Sequence, residues 1–185
     1  MILDCLIDVD RVLTEQRISH AFGGALALAN YADPRGTNDV DVNMATPFTD
    51  AGPVLKALER EGFSPEGDPT LSLPAAGIRM VRGFDVVDLF FSFDAFHERM
   101  LERRRPAVIQ IGATQRTFEV IGPDDLVVFK VSLNRGKDWV DIEAMLVAGT
   151  AIDRDLVRQE LLALRGLTML PRIARLSTML ENAAK

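Results

Sequence analysis

The sequence predicts an α/β fold in which a small mixed β-sheet is flanked by helices and followed by a C-terminal helical segment. Three observations predict it. Apolar residues recur at helical spacing over residues 3–17. Alternating runs such as "GIRMV" and "FDVVDLFFS" are typical of strands, and the Arg82-Gly83 pair between them indicates a hairpin. After Pro123 the pattern is helical throughout.

The first half of the chain alternates between helices and strands. The predicted elements are a helix over 3–17, a short strand over 19–23, a helix over 25–32, a strand over 38–44 and a helix over 52–63. Asp50 is expected to cap the last of these helices, Pro53 suits its first turn and Gly62 its end. The Asp33-Pro34 pair and Gly36 predict a loop before the second strand.

The second half adds one more hairpin and then only helices. A helix over 95–105 should end in the solvated basic run Arg103–Arg105, and strands over 107–111 and 116–121 bracket a turn. Two helices follow Pro123 with a break at 134–136, and two more follow Asp153 with a break near Gly166. We expect one domain over 1–150 with a helical segment over 151–185 packed on it.

The composition argues against several classes of protein. Hydrophobic residues make up 48% of the 185 residues, which supports a sizeable core, yet no apolar run approaches the roughly 18 residues that span a bilayer. The N-terminal residues lack the basic start of a signal peptide, and Cys5 has no second cysteine to pair with, so a cytoplasmic protein is expected. A net charge of −6 argues against a broad nonspecific nucleic-acid surface.

The strand "NDVDVNM" carries an unusual pair of acids. Asp39 and Asp41 project from one face while Val40 and Val42 project from the other, because successive side chains of a strand alternate. Asp is depleted in strands, and two like charges on one face repel each other. The two carboxylates therefore need solvent, a basic partner or a metal ion.

Two further features belong beside these acids. Gly23 and Gly24 lie between a predicted strand and a predicted helix, where glycine lets the backbone approach a ligand closely. Asp88 lies in an otherwise apolar strand, where an unpaired carboxylate is costly. Three carboxylates beside a phosphate-binding turn favour Mg²⁺ and a nucleoside triphosphate, since Mg²⁺ prefers carboxylate and phosphate oxygens.

The stretch "HAFGGALALANYADPRGTNDVDVNM" resembles the opening of the nucleotidyltransferase fold shared with DNA polymerase β. More specifically, residues 15–150 resemble small bacterial nucleotidyltransferase-like proteins grouped with abortive-infection toxins of type IV toxin–antitoxin systems. The matching positions are Arg35, Thr37, Asp39 and Asp41 at the strand entry, Val87, Asp88 and Leu89 in a later strand, and Lys137, Asp138, Asp141 and Ile142 in a later helix.

This resemblance implies roles for individual residues. Asp39 and Asp41 would bind metal, Asp88 would complete the metal site or act as a base, and Gly23 and Gly24 would hold the triphosphate. Two Mg²⁺ ions and a nucleoside triphosphate (NTP) would be the ligands. The family pattern also allows Ser at the second glycine, and Gly24 removes that hydroxyl contact to phosphate.

Several cationic side chains have two interpretations. Arg35 either contributes to the site or pairs with an acid at the strand entrance. Lys130 either reaches a phosphate or extends to solvent from its apolar helix. Lys137 contacts the nucleotide or forms a structural ion pair. All three are predicted cofactor-binding residues.

Other polar residues are expected to be structural. Asp138 should cap the following helix. Asp85 competes with Asp88 as the third acid, but the two lie on opposite faces of a strand and Asp88 is the preferred candidate. His20 and His97 lack a second histidine at ligand spacing. The potential nucleophiles Cys5, Ser72 and Ser92 lack a matched base.

The sequence therefore supports three functions. The first is a Mg²⁺-dependent nucleotidyltransferase that moves a nucleoside monophosphate from an NTP to a hydroxyl of RNA, protein or a small molecule. The family resemblance implies a role as the toxin of a toxin–antitoxin pair, with an antitoxin protein as partner and no membrane. The second is a nucleotide-binding or protein-interaction module with little turnover. The third is an antibiotic-modifying nucleotidyltransferase, for whose cationic substrates the negative charge is suitable.

Overall fold

A computed structural model describes residues 2–68 and 77–183. Ser72 lies outside these residues. The chain forms two compact units: one comprises Met1–Leu26 and Gly36–Ile121, the other Ala27–Arg35 and Gly122–Lys185.

The first unit contains both helices and strands, and the second contains helices. In chain order the elements are α1 (Ile2–Glu15), β1 (His20–Phe22), α2 (Gly24–Leu28), β2 (Asp39–Pro47), α3 (Ala51–Arg60), β3 (Ser64–Pro65), β4 (Ile78–Arg82), β5 (Asp85–Ser92), α4 (Ala95–Glu102), β6 (Arg105–Ile111), β7 (Thr114–Val120), α5 (Pro123–Leu133), α6 (Gly136–Val147), α7 (Arg154–Arg165) and α8 (Leu170–Ala183).

The seven strands of the described residues form one mixed sheet in the order β3-β4-β5-β2-β1-β7-β6. The acidic strand β2 is the central one. It runs parallel to β5 and antiparallel to β1, and β1 runs parallel to β7. The hairpins β4–β5 and β6–β7 are both antiparallel. The predicted α/β fold with a small mixed sheet is confirmed.

The core of the first unit lies on the face of the sheet opposite the acids of β2. Val40, Val42 and Met44 of β2 are completely buried, as are Val87 and Leu89 of the neighbouring β5. Helices α1 and α4 contact β2. Burial of these alternating side chains fixes the register, because a shift by one residue would turn the acids into the core.

The second unit consists of α5 to α8 and residues 27–35. Pro123 occupies the first turn of α5, and Asn134 ends that helix in a left-handed conformation. Asp138 forms the predicted cap of α6, since its carboxylate accepts the Arg135 N–H at 2.9 Å. The completely buried apolar side chains of these helices are Val127, Val128, Val131, Ile142, Met145, Val157 and Leu161.

Three local predictions were wrong. The helix predicted to reach residue 32 ends at Leu28, because Asn30 and Tyr31 are poorer helix formers than the alanines and leucines before them. Asp50 precedes α3 but makes no capping bond, since its backbone is not in the extended conformation that aims a cap side chain. Arg105 begins β6 instead of ending a helix, as Pro106 disfavours helical geometry there.

Candidate active site

Three carboxylates share one face of two neighbouring strands. Asp39 and Asp41 alternate along β2 and are both half-buried. Asp41 is in direct register with Asp88 of the parallel strand β5, so the side chains of these two residues lie on the same face. The structure thus places the three predicted acids together, on the face opposite the apolar core.

Asp85, the competing third acid, lies on the other face. It is three residues before Asp88 in β5, and its carboxylate accepts Arg82 Nη2 at 2.9 Å. Asp8 of α1 binds the same guanidinium at 2.9 Å. Asp85 therefore belongs to a separate ion-pair cluster.

The glycine turn lies directly against the acidic strand. The Gly23 N–H donates to the Asp41 carbonyl oxygen at 2.9 Å. A Cβ on Gly24 would stand 1.7 Å from Asp41 Oδ2, and the φ of Gly24 is +54°. A Cβ on Gly23 would stand 2.9 Å from Asn43 Nδ2. Gly24 requires glycine on both counts, whereas a side chain at Gly23 would have to displace the end of the Asn43 side chain.

Asp88 and Asp39 each bind a side chain of the first unit. Both Asp88 oxygens accept hydrogen bonds from Arg79 of β4, from Nε at 2.7 Å and Nη2 at 2.8 Å. These hydrogen bonds and the charge of Asp88 raise the pKa of Arg79. The Thr37 hydroxyl donates to the Asp39 carboxylate. Thr37 thereby orients one member of the acid pair.

The donor set suits Mg²⁺ in chemistry but is not assembled as a metal site. Three carboxylates are hard oxygen ligands of the kind that Mg²⁺ prefers. Within residues 2–68 and 77–183, however, no group of three or more His, Cys, Asp or Glu side chains is arranged to hold a metal ion. Both oxygens of Asp88 accept hydrogen bonds from the guanidinium of Arg79.

The predicted cations Arg35 and Lys130 meet one acid of the second unit. Asp141 accepts Arg35 Nε at 2.9 Å and Nη2 at 3.2 Å, and it also accepts Lys130 Nζ. The Lys130 and Asp141 side chains are 5% and 4% exposed. Lys137, the third predicted cation, is exposed in the first turn of α6.

Burial and charge act in opposite directions in this cluster. Burial lowers the pKa of Lys130, although Asp141 opposes that shift. Burial alone would raise the pKa of Asp141, but the hydrogen bonds and charges of Arg35 and Lys130 hold it below its ordinary value. Because Arg35 stays charged at any accessible pH, we take Asp141 as ionised.

Both histidines form hydrogen bonds with nearby residues, and the cysteine is buried. His20 contacts the Ile18 carbonyl at 2.9 Å and Asp10 at 3.1 Å, and His97 lies 3.1 Å from its capping partner Asp94. Burial raises the pKa of Cys5 to about 12, which disfavours the nucleophilic thiolate.

Sequence reasoning missed two residues on the acid face. The pairing of Arg79 with Asp88 was missed because the turn was predicted one residue too early: a turn at Arg82-Gly83 would pair Arg79 with Val86. Asn43 continues the alternation of Asp39 and Asp41 by one more step and is 4% exposed beside Gly23. The signal for Asn43 was strand periodicity.

The part of the chain that the structure describes contains no helix long and apolar enough to cross a membrane.

The sequence matches no protein-family model and no curated protein. Solved structures do match. The antibiotic-resistance factor ANT(2'')-Ia is 13% identical with a TM-score of 0.59, and the match covers 96% of this chain and 97% of that one. An antigenic nucleotidyltransferase-like protein from Paracoccidioides brasiliensis is 16% identical with a TM-score of 0.54, covering 97% and 92%. The lincosamide antibiotic adenylyltransferase LnuA, solved with lincomycin, is 10% identical with a TM-score of 0.51, covering 76% and 93%.

At these identities the likeness concerns the fold. The mixed sheet flanked by helices is similar to the fold of these solved structures, which agrees with the fold class predicted from the sequence.

Proposed function

We propose that this protein is a Mg²⁺-dependent nucleotidyltransferase, which transfers a nucleoside monophosphate from an NTP to a hydroxyl acceptor. One observation carries the proposal: Asp39, Asp41 and Asp88 share one face of two in-register strands, with the Gly23-Gly24 turn directly against Asp41. The likeness in fold to nucleotidyltransferases supports it.

The acids and the glycines would divide the work. Asp39, Asp41 and Asp88 would hold Mg²⁺, which when bound neutralises triphosphate charge and activates the attacking hydroxyl. Gly23 and Gly24 would let the backbone of the turn approach the phosphates closely, with the Gly24 N–H as the candidate donor, since the Gly23 N–H donates to the Asp41 carbonyl. The acceptor hydroxyl would give its proton to solvent or to Asp88 while its oxygen forms a bond to the α-phosphorus, the bond from that phosphorus to the bridging oxygen breaks, and pyrophosphate leaves.

Thr37 and the three predicted cations would not bind the metal ion themselves. Thr37 would hold Asp39 in orientation through its hydroxyl. Phosphate contacts by Arg35, Lys130 and Lys137 stay predictions. Arg35 and Lys130 are both bound to Asp141.

A small cationic acceptor is a second, narrower candidate. The net charge of −6 suits a cationic substrate better than a polyanion, and two proteins of similar fold are an antibiotic-resistance factor and an antibiotic adenylyltransferase. RNA and protein remain alternative acceptors. The toxin–antitoxin role, the antitoxin partner and the cytoplasmic location stay predictions from the sequence.

The test is transfer of label from the α-phosphate of each of the four NTPs, with Mg²⁺ and a panel of acceptors: pooled RNA, purified proteins, aminoglycosides and lincosamides. We expect Asp41→Asn to lower transfer by about 10²–10³-fold, as is common when one preorganised charge is lost. Asp85→Asn is the matched control, because Asp85 lies on the opposite face of β5. Equal transfer by Asp41→Asn and wild type would contradict the assignment.

A further inference from the structure

Arg79 and Asp88 form a two-pronged ion pair on the acid face. They are directly opposite each other in the antiparallel pair β4–β5. Both carboxylate oxygens are used, at 2.7 and 2.8 Å, which is the strong, geometrically specific form of an arginine–carboxylate contact. The Asp88 side chain is 18% exposed and that of Arg79 is 45% exposed.

The pair continues a row of charges across three strands. Asp41 of β2 is in register with Asp88 of β5, and Asp88 is in register with Arg79 of β4. Without the guanidinium, two carboxylates would face each other on adjacent strands, an arrangement that is destabilising. Asp39 also acts on Arg79 through its charge. The chain itself thus supplies a cation to this acidic face.

We propose that Arg79 is an internal counter-ion that competes with the metal: its guanidinium holds Asp88 in the metal-free protein, and a divalent cation must displace it before Asp88 can complete the acid set. This inference rests on the proposed function. It explains why three acids on one face form no metal site in the described part of the chain, since the third is already bound.

A neighbouring arginine provides the matched control. Arg82 lies three residues along the same strand and binds Asp85 through Nη2 at 2.9 Å, but this pair is on the opposite face of the sheet. Its side-chain exposure is 27%, against 45% for Arg79. Removing either arginine removes one positive charge from the same hairpin, and only Arg79 contacts an acid of the candidate site.

The experiment measures Mn²⁺ binding to the metal-free full chain without nucleotide, by titration calorimetry and by the electron paramagnetic resonance signal of free Mn²⁺. We expect Arg79→Gln to bind Mn²⁺ about 10-fold more tightly than wild type, because a charge-assisted bidentate pair no longer competes. Arg79→Lys keeps the positive charge but loses the bidentate guanidinium contact, so its Mn²⁺ affinity should increase less. Arg82→Gln should match wild type. Thermal unfolding in parallel verifies that each variant is folded.

Affinity that is unchanged or weaker in both Arg79→Gln and Arg79→Lys would overturn the counter-ion role. Asp41→Asn separates this failure from that of the proposed function. If wild type binds Mn²⁺ and Asp41→Asn does not, the metal site stands whatever the Arg79 variants show. If neither wild type nor Arg79→Gln binds Mn²⁺, or if Asp41→Asn leaves a measurable wild-type affinity unchanged, both the metal site and the counter-ion role are refuted.

Discussion

Asp41 Oδ2 occupies the space in which a side chain on Gly24 would begin: a Cβ there would stand 1.7 Å from this oxygen. The closeness is reinforced by the hydrogen bond from Gly23 N–H to the Asp41 carbonyl. The glycine turn and the acidic strand are therefore mutually dependent. A substitution in the turn should therefore alter the effect of a substitution at Asp41, and the reverse.

Gly24→Ala should destabilise the protein more than Gly112→Ala. Both glycines have a left-handed backbone, with φ of +54° and +59°, but nothing lies within 4 Å of a Cβ on Gly112. Each alanine should cost about 1–2 kcal/mol for the backbone conformation. Gly24→Ala should cost about 1–3 kcal/mol more because of the clash with Asp41. The free energies of unfolding in denaturant provide the comparison.

Asp41→Ala is the partner change for this cycle. In that background the excess cost of Gly24→Ala should shrink, since the clashing carboxylate is gone. An excess that persists without the Asp41 carboxylate would show that the two residues are not coupled in this way.

The cluster of Lys130, Asp141 and Arg35 should respond asymmetrically to mutation. Asp141→Asn leaves Lys130 buried without a counter-ion and should cost about 3–5 kcal/mol of unfolding free energy. Lys130→Met should cost less, because Asp141 keeps Arg35 as a partner. The double change Lys130→Met with Asp141→Leu should recover much of the loss. Equal costs for the two single changes, measured by urea unfolding, would refute this asymmetry.

The pH dependence of stability should carry the signature of Asp141. Its folded-state pKa is held below the ordinary value, so ionised Asp141 contributes stability that is complete above about pH 4 and is lost as the pH falls further. The unfolding free energy of wild type, relative to the Lys130→Met and Asp141→Leu double variant, should be constant from pH 7 to 5 and decline below about 4. A difference that stays constant down to pH 3 would contradict the assigned shift.

Local patterns were sufficient for most of the fold. The alternation in "NDVDVNM" predicted a strand with both acids on one face, and β2 has that arrangement. The hairpin predicted between Ile78 and Ser92 is present, with its turn one residue later, at Gly83 and Phe84. The preference for Asp88 over Asp85 on the acid face followed from a period of two, which any extended strand obeys.

What sequence could not supply were contacts set by the tertiary fold. Asp141 binds Arg35 across 106 residues of chain, and no local pattern identifies that partner. The close packing of Gly24 against Asp41 likewise depends on how β1 and β2 are brought together. The Arg79–Asp88 pair depends on hairpin register, and a turn placed one residue too early pairs Arg79 with Val86 instead.

The measurement that tests the nucleotidyltransferase proposal most directly is the binding of a non-hydrolysable NTP to the full chain, by titration calorimetry with and without Mg²⁺. We expect Mg²⁺-dependent binding by wild type and by Asp85→Asn, and binding weakened by about 10-fold or more in Asp39→Asn and Asp41→Asn, which lose a metal-ligand charge. Two results would contradict the proposal and favour a protein-interaction module. One is that wild type binds no NTP analogue, and the other is that binding is unchanged by Mg²⁺ and by both Asp→Asn substitutions.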